Sequence, residues 1–225
     1  MKNIRYALES GIATLTFDEP DSPVNTMCLQ WQDDLAEAAS LLVAERANLK
    51  GIILASAKKT FFAGADLKAV MRLHTADAPR VYAEIERVKK NFRTIETLGL
   101  PVVSCINGSA LGGGWEVALM GHHRIAVDDP RIELGLPEVT LGLLPGASGV
   151  SKMVRQLGLM AAQPYLVEGR LFQPRQGAEA GLIHELVADP QQLRARALAW
   201  IAEHPQSAHP WEAKGYKIPG GDARS

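Results

Sequence analysis

The sequence predicts an α/β protein built around a largely parallel sheet. Short β-branched runs bounded by glycine, proline or turn residues ("GIILAS", "PVVSCI", "HRIAV") alternate with longer segments whose apolar residues recur at helical spacing. Those runs are apolar almost throughout, as expected of parallel strands covered on both faces. With 225 residues, 47% of them hydrophobic, the chain suits a soluble globular domain with a sizeable core.

The elements follow in order. "IRYALES" and "IATLTF" flank a Glu9-Ser10-Gly11 break and predict a hairpin, and "EPDSPVN" is a loop by its two prolines. "LQWQDDLAEAASLLVAERANLK" places Leu35, Ala38, Ala39 and Leu42 on one helical face. The strand "GIILAS" leads into the loop "AKKTFFAGAD". The helix "PRVYAEIERVKKNFRTIETL" sets Val81, Ile85, Val88, Phe92 and Ile95 on one side. "PVVSCI" is the next buried strand, followed by a helix over "GGWEVALMGH" and a strand over "HRIAV". From Ser148 to about Glu203 the chain reads as mainly helical, with "GLIHELV" as one more strand. The remainder, "HPQSAHPWEAKGYKIPGGDARS", is rich in Pro, Gly and polar residues and reads as a linker or extended tail over 205–225, outside a domain of residues 1–204.

Composition excludes several function classes. The 24 basic and 25 acidic residues give a net charge of −1, so no global field favours nucleic acid or a membrane surface. No apolar stretch reaches the roughly 20 residues of a transmembrane helix, and the amino terminus carries no signal-peptide pattern, so the expected location is cytoplasmic. Cys28 and Cys105 read as reduced thiols. The six histidines show no metal-ligand spacing, and His122-His123 is expected to serve as a dipole partner at a helix C-terminus.

The informative segments are two loops that follow buried strands, where parallel α/β sheets tend to bind ligands. "TFFAGAD" and "NGSALGGG" both offer small residues whose N–H groups could reach one oxygen, an oxyanion hole suited to an enolate or tetrahedral oxyanion. The triplet Gly112–Gly114 admits two readings, close backbone approach by a ligand or tight helix–sheet packing. Dinucleotide, P-loop and nucleophile-elbow patterns are absent. Glu116 is either a helix-start carboxylate complementing the dipole or an acid–base group, and Glu138 is either an exposed loop acid or its partner. They stand 22 residues apart, too far for one helix face, so any pairing must come from the fold. Asp66 reads as a helix cap or loop-fixing acid.

"FFAGADL", "INGSALGGGWEVAL" and "LGLPEVTLGLLPGASG", in that order, resemble the enoyl-CoA hydratase/isomerase (crotonase) superfamily over about residues 4–204. The glutamate separation, the "DDP" insertion before "LGLPE" and the tail "HPWEAKGYKIPGG" are most similar to the α-subunits of bacterial fatty acid oxidation complexes, which fuse a hydratase/isomerase domain to dehydrogenase domains. The resemblance implies a crotonase (ClpP/crotonase-like) fold of stacked ββα units with a mainly helical C-terminal part. It implies hydration of 2-trans-enoyl-CoA to 3-hydroxyacyl-CoA, together with Δ3-Δ2-enoyl-CoA isomerisation. Glu116 and Glu138 become the catalytic carboxylates, Ala65 and Gly113 the oxyanion-hole donors. Ala63, Gly64, Asp66, Gly112, Gly114, Pro145, Gly146 and the loop Val24 to Met27 would meet the substrate and its CoA moiety. No metal or cofactor is implied in this chain; NAD belongs to a dehydrogenase region that these residues lack. The partners implied are an acyl-CoA, a thiolase β-subunit and further copies of the chain. The alternatives are another crotonase reaction, such as thioester hydrolysis, and a non-catalytic acyl-CoA-binding scaffold. Ser148 stands where relatives commonly have glycine, and "SKMVRQLG" departs from the usual run, which bears on acyl preference rather than reaction type. Trp115 either packs in the core or shapes the pocket.

Overall fold

Six strands form the central sheet of the computed structural model, which describes residues 1–221. They are β1 (Ile4–Glu9), β2 (Ile12–Phe17), β3 (Gly51–Ser56), β4 (Val102–Ile106), β6 (His123–Val127) and β8 (Glu185–Val187), lying side by side in that order. The first pair is the expected antiparallel hairpin, with Ile4 opposite Phe17 and Glu9 opposite Ile12. Every later pairing in this sheet is parallel. A second, two-stranded parallel sheet pairs β5 (Ala110–Leu111) with β7 (Leu134–Gly135). Strands of two residues carry no periodicity, so neither β5 nor β7 was foreseeable from pattern.

Helix α1 (Leu29–Ala44) buries Trp31, Leu35, Ala38, Ala39 and Leu42, the stripe its spacing predicts, and packs against α3 (Ala78–Glu96). The α3 stripe holds only in its second half. Val88, Phe92 and Ile95 are buried, whereas Ile85 is 36% exposed and lies beside Gly146. Helix α8 (Gln192–Glu203) covers β4 and β6 with Leu193, Ala197 and Ile201. A methyl group on Gly51 would stand 2.6 Å from Cγ2 of Ile201, so glycine there sets how closely α8 approaches the sheet.

Five aromatic rings anchor the first of the two informative loops. Phe17, Trp31, Phe61, Phe62 and Phe92 are all essentially inaccessible. Phe62 meets Phe17 edge-on at 5.5 Å between centroids and Trp31 at 5.1 Å. Each such pair contributes about 0.5–1.5 kcal/mol beyond its buried area, so the loop that begins at Phe61 is clamped at its root.

The C-terminal part is helical as expected, through α5 (Gly149–Leu157), α6 (Leu159–Val167), α7 (Pro174–Glu179) and α8. The segment after α8 is more than an extended run. It forms a short 3-10 turn at Pro210–Glu212 and buries His209 to 3% exposure, and its Tyr216 hydroxyl donates to the Arg155 carbonyl. Composition misses this because the contacts come from isolated side chains in a Pro- and Gly-rich run. Residues 222–225 of the predicted tail lie outside the described residues.

Candidate active site

Three motifs far apart in sequence are stitched together by one narrow backbone ladder. Phe62 bridges Ala110, Ala110 and Leu111 pair with Leu134 and Gly135, and Leu134 bridges Phe172. The ladder is closed by Leu111 N–H to the Phe62 carbonyl at 3.2 Å and Gly112 N–H to the Gly135 carbonyl at 2.8 Å. The loop at Asn25 joins on the outside. Ala63 N–H donates to the Asn25 carbonyl at 2.9 Å, Met27 N–H to the Gly64 carbonyl at 2.9 Å, and the Asn25 side chain donates to Ser56 and to the Phe61 carbonyl. This ladder lies beyond the C-terminal ends of β3 and β4, as parallel α/β topology leads one to expect.

It brings the loop that carries Gly64 and Ala65 against the segment that carries Leu111 and Gly113. Gly64 adopts φ +99°, and a methyl group there would lie 2.6 Å from the Leu111 carbonyl oxygen and 3.4 Å from the Gly113 nitrogen. The two loops therefore touch at Gly64. Ala65, next in sequence, is exposed, and its N–H makes no hydrogen bond among the described residues. Gly113 opens helix α4 (Gly113–Ala118), so its N–H has no acceptor within the helix.

The glycine triplet divides between its two readings. A methyl group on Gly114 would stand 2.1 Å from the Phe62 carbonyl oxygen, so this glycine is a packing residue. Gly113 faces the Met27 sulfur at 2.8 Å by the same measure. Gly112, at φ +55° and ψ −126°, would meet Oε1 of Glu138 at 2.8 Å, so it makes room for that carboxylate.

The two glutamates occupy contrasting environments. Glu116, on α4, is 2% exposed, and its carboxylate accepts from Gly149 N–H at 2.6 Å and from Ala147 N–H at 2.8 and 3.0 Å. Between these donors Ser148 adopts φ +94°, a conformation costly for a non-glycine residue, and its buried hydroxyl lacks a partner. Glu116 is thus held at a helix N-terminus, but at that of α5 rather than of its own helix. Burial raises its pKa, opposed by the Gly149 and Ala147 N–H groups and by Lys152 and Lys89. Glu138 begins a 3-10 turn over Glu138–Leu141 and is half-buried, with an unpartnered Oε2. Burial lifts its pKa to about 7, its own backbone N–H opposes the rise, and the charge on Glu116 adds to it. Two carboxylates that repel each other in a partly dry site divide one proton unequally. Backbone donors on the Glu116 oxygens oppose the effect of burial there, whereas Glu138 has only its own N–H to do so.

The other predicted residues fall into place around this pair. Asp66 caps the short helix α2 (Leu67–Val70), accepting from Lys68 and Ala69 N–H. Ala63 is exposed and Gly64 buried. Pro145 is half-buried beside exposed Gly146, in the loop that leads to Ala147. Trp115 is a core residue, edge-on to Phe172 at 5.2 Å with its Nε1 on the Met153 sulfur. The histidine pair is not a helix dipole partner. α4 ends at Ala118, and the His122 ring instead accepts from Val102 N–H and meets the Glu96 carbonyl at 3.0 Å, while His123 stacks on His184 and Trp200. Among the described residues no group of three or more His, Cys, Asp or Glu could hold a metal ion, and no helix is long and apolar enough to cross a membrane. Sequence reasoning missed Ala147 and Gly149 as the anchors of Glu116, and Lys152 and Glu96 beneath it. Only the position of "PGASG" just ahead of an amphipathic run hinted at a helix N-terminus there.

Comparison with known proteins agrees with this architecture. The enoyl-CoA hydratase/isomerase family model matches residues 7–211. Subunit alpha of the fatty acid oxidation complex of Shewanella oneidensis is 36% identical over 180 residues, and that of Shewanella loihica 35% over 183. Those matches cover 80% and 81% of this chain but 25% and 26% of the relatives, so the chain spans about a quarter of their length. Among solved structures, an enoyl-CoA hydratase from Bacillus anthracis is 28% identical with a TM-score of 0.79, covering 89% of this chain and 76% of that one. An enoyl-CoA hydratase/carnithine racemase from Magnetospirillum magneticum is 27% identical with the same TM-score, covering 90% and 74%.

Proposed function

The chain belongs to the enoyl-CoA hydratase/isomerase family, with a crotonase fold, and from that premise we propose that it hydrates 2-trans-enoyl-CoA thioesters in fatty acid oxidation. One observation carries the proposal. Two carboxylates of contrasting environment, one tethered by backbone donors and one with a pKa lifted to about 7, lie on segments joined by the ladder that also carries Gly64 against Leu111 and Gly113, and this supports reading Ala65 and Gly113 N–H as the oxyanion donors.

The thioester carbonyl accepts from Ala65 and Gly113 N–H, and the start of α4 adds its positive dipole end. Ionised Glu116 and protonated Glu138 hold one water between them. Glu116 takes a proton from that water as its oxygen bonds to C3, and electrons move through C2 onto the carbonyl oxygen. The two N–H groups stabilise this enolate, a type of contact worth about 10²–10³ in kcat per donor. Glu138 then delivers its proton to C2, the carbonyl re-forms, and 3-hydroxyacyl-CoA leaves. Proton exchange with the next water restores the pair. The same site supports Δ3-Δ2-enoyl-CoA isomerisation, with Glu138 carrying the proton between carbons and no water added.

The test is loss of the conjugated enoyl-thioester absorbance with crotonyl-CoA and with a longer enoyl-CoA. Hydration of either substrate is the expected result. Binding of both CoA esters without turnover would sink the proposal in favour of a non-catalytic module.

A further inference from the structure

A buried charged cluster lies behind Glu116, and the proposed reaction does not use it. Lys152, on the first turn of α5, is 3% exposed, and its Nζ donates to Oε2 of Glu96 at 2.6 Å and to the Leu119 carbonyl at 3.2 Å. Glu96 closes α3 and is 1% exposed. The same Oε2 lies 3.1 Å from Nε2 of His209, in the segment after α8. Arg93 lies 3.4 Å from Oε1 of Glu96 and grips Glu212 of that segment at 2.7 and 3.1 Å. The His122 ring lies edge-on to His209 at 4.8 Å, and His209 stacks on Trp211 at 4.3 Å. Burial opposes ionisation of Glu96, yet His209 and Lys152 hold its pKa down to about 2. Burial lowers the pKa of both histidines, that of His122 to about 4, and the Glu96 carboxylate opposes the fall at His209.

The position of Lys152 is what connects this cluster to the site. Its own helix, α5, begins with Gly149, whose N–H holds the Glu116 carboxylate. Its second acceptor, Leu119, caps α4, the helix that carries Glu116. One ammonium group thus ties together both mounts of Glu116, the helix it grows from and the helix end that grips it. Glu96 and His209 fix that ammonium from the far side. The charged groups that act on Glu116 are Lys152 from α5, Lys89 from α3 and, across the site, Glu138.

We propose that Lys152 is a positioning residue for Glu116, held by Glu96 and by His209 of the C-terminal segment, so that residues after α8 form part of the support of the active site. This rests on Glu116 being the base of the hydration reaction. Lys152→Met alone strands the Glu96 charge in the interior and can fail by misfolding. The double variant Glu96→Gln/Lys152→Met removes both charges, and circular dichroism and thermal melting check that it folds. With crotonyl-CoA it is expected to lose about tenfold or more in kcat while KM stays within about twofold, the pattern of a misplaced catalytic group with substrate binding intact. The acid limb of its kcat–pH profile is expected to move to higher pH, because a cation favouring ionised Glu116 is gone. Lys152→Arg keeps the cation and is expected to retain most of kcat. His209→Phe, which keeps the stacking on Trp211 and loses the hydrogen bond, is expected to reduce kcat in the same direction. A folded double variant with wild-type kcat and an unmoved acid limb overturns the proposal. Should the wild-type protein not hydrate any enoyl-CoA, the functional reading fails instead. The positioning role is then read by ¹³C NMR titration of the Glu116 carboxyl in glutamate-labelled protein, assigned with Glu116→Gln. A higher midpoint in the double variant supports it, and an unchanged midpoint refutes it.

Discussion

Glu138→Gln is expected to lower kcat for enoyl-CoA hydration by about 10²–10⁴-fold, the range that a positioned proton donor contributes. Glutamine fills the same space over Gly112 but has no transferable proton. The pH dependence gives the sharper readout. Burial and the neighbouring Glu116 charge raise the Glu138 pKa to about 7. The donor is therefore protonated and competent below that value and loses its proton above it. In the wild-type protein kcat/KM is expected to fall as pH rises through about 7, and in Glu138→Gln this alkaline limb is expected to vanish. The linkage to stability has the same sign. A carboxyl group with a raised folded-state pKa stabilises the fold fully below its ordinary value, and that contribution disappears as pH rises through about 7. A variant that retains the wild-type limb would place the titrating group elsewhere.

Gly114→Ala is expected to destabilise the fold by about 3 kcal/mol, the upper end of ordinary overpacking, which is roughly a 6–12 °C drop in Tm for a chain of this size. The added methyl would have to sit 2.1 Å from the Phe62 carbonyl oxygen, and backbone cannot swing aside as a side-chain tip can. Either α4 lifts away or the ladder between Phe62 and Leu111 opens, and both movements disturb Gly113. Hydratase activity is therefore expected to fall even at temperatures where the variant is folded. Gly142→Ala is the matched control. Gly142 has φ +71° and no atom within 4 Å of an added methyl, so it carries only the backbone penalty of about 1 kcal/mol. Equal Tm losses in the two variants would contradict the packing role of Gly114.

Much of this was legible in the sequence, because it depended on local pattern. The hairpin over residues 4–17, the stripe of α1 and the apolar parallel strands follow directly from periodicity and turn residues. The position of the candidate site was legible too, since both informative loops leave the C-terminal ends of buried strands. Pairings that are long-range and short were not. The two-residue strands β5 and β7 carry no periodic signal, yet they bring Glu138 to Gly112. The anchoring of Glu116 by Ala147 and Gly149 depends on a positive φ at Ser148, a residue type that gives no warning of that conformation. Ile85 follows the apolar stripe of α3 but stays 36% exposed, because periodicity reports which face a residue occupies and not whether a neighbour covers it. His122 looked like a helix-end charge because "GGWEVALMGH" reads as one helix. The true end at Ala118 sends the ring inward to Val102 and Glu96.

The most direct test of a carboxylate pair acting as one unit is the hydration rate of Glu116→Gln, Glu138→Gln and the double variant, measured with crotonyl-CoA on proteins confirmed to be folded. If the two residues share one water, each single variant loses at least about 10²-fold in kcat, and the double variant loses little more than the worse single, because either lesion already breaks the unit. Full hydratase activity in either single variant, or losses that multiply in the double, would contradict a shared role for Glu116 and Glu138.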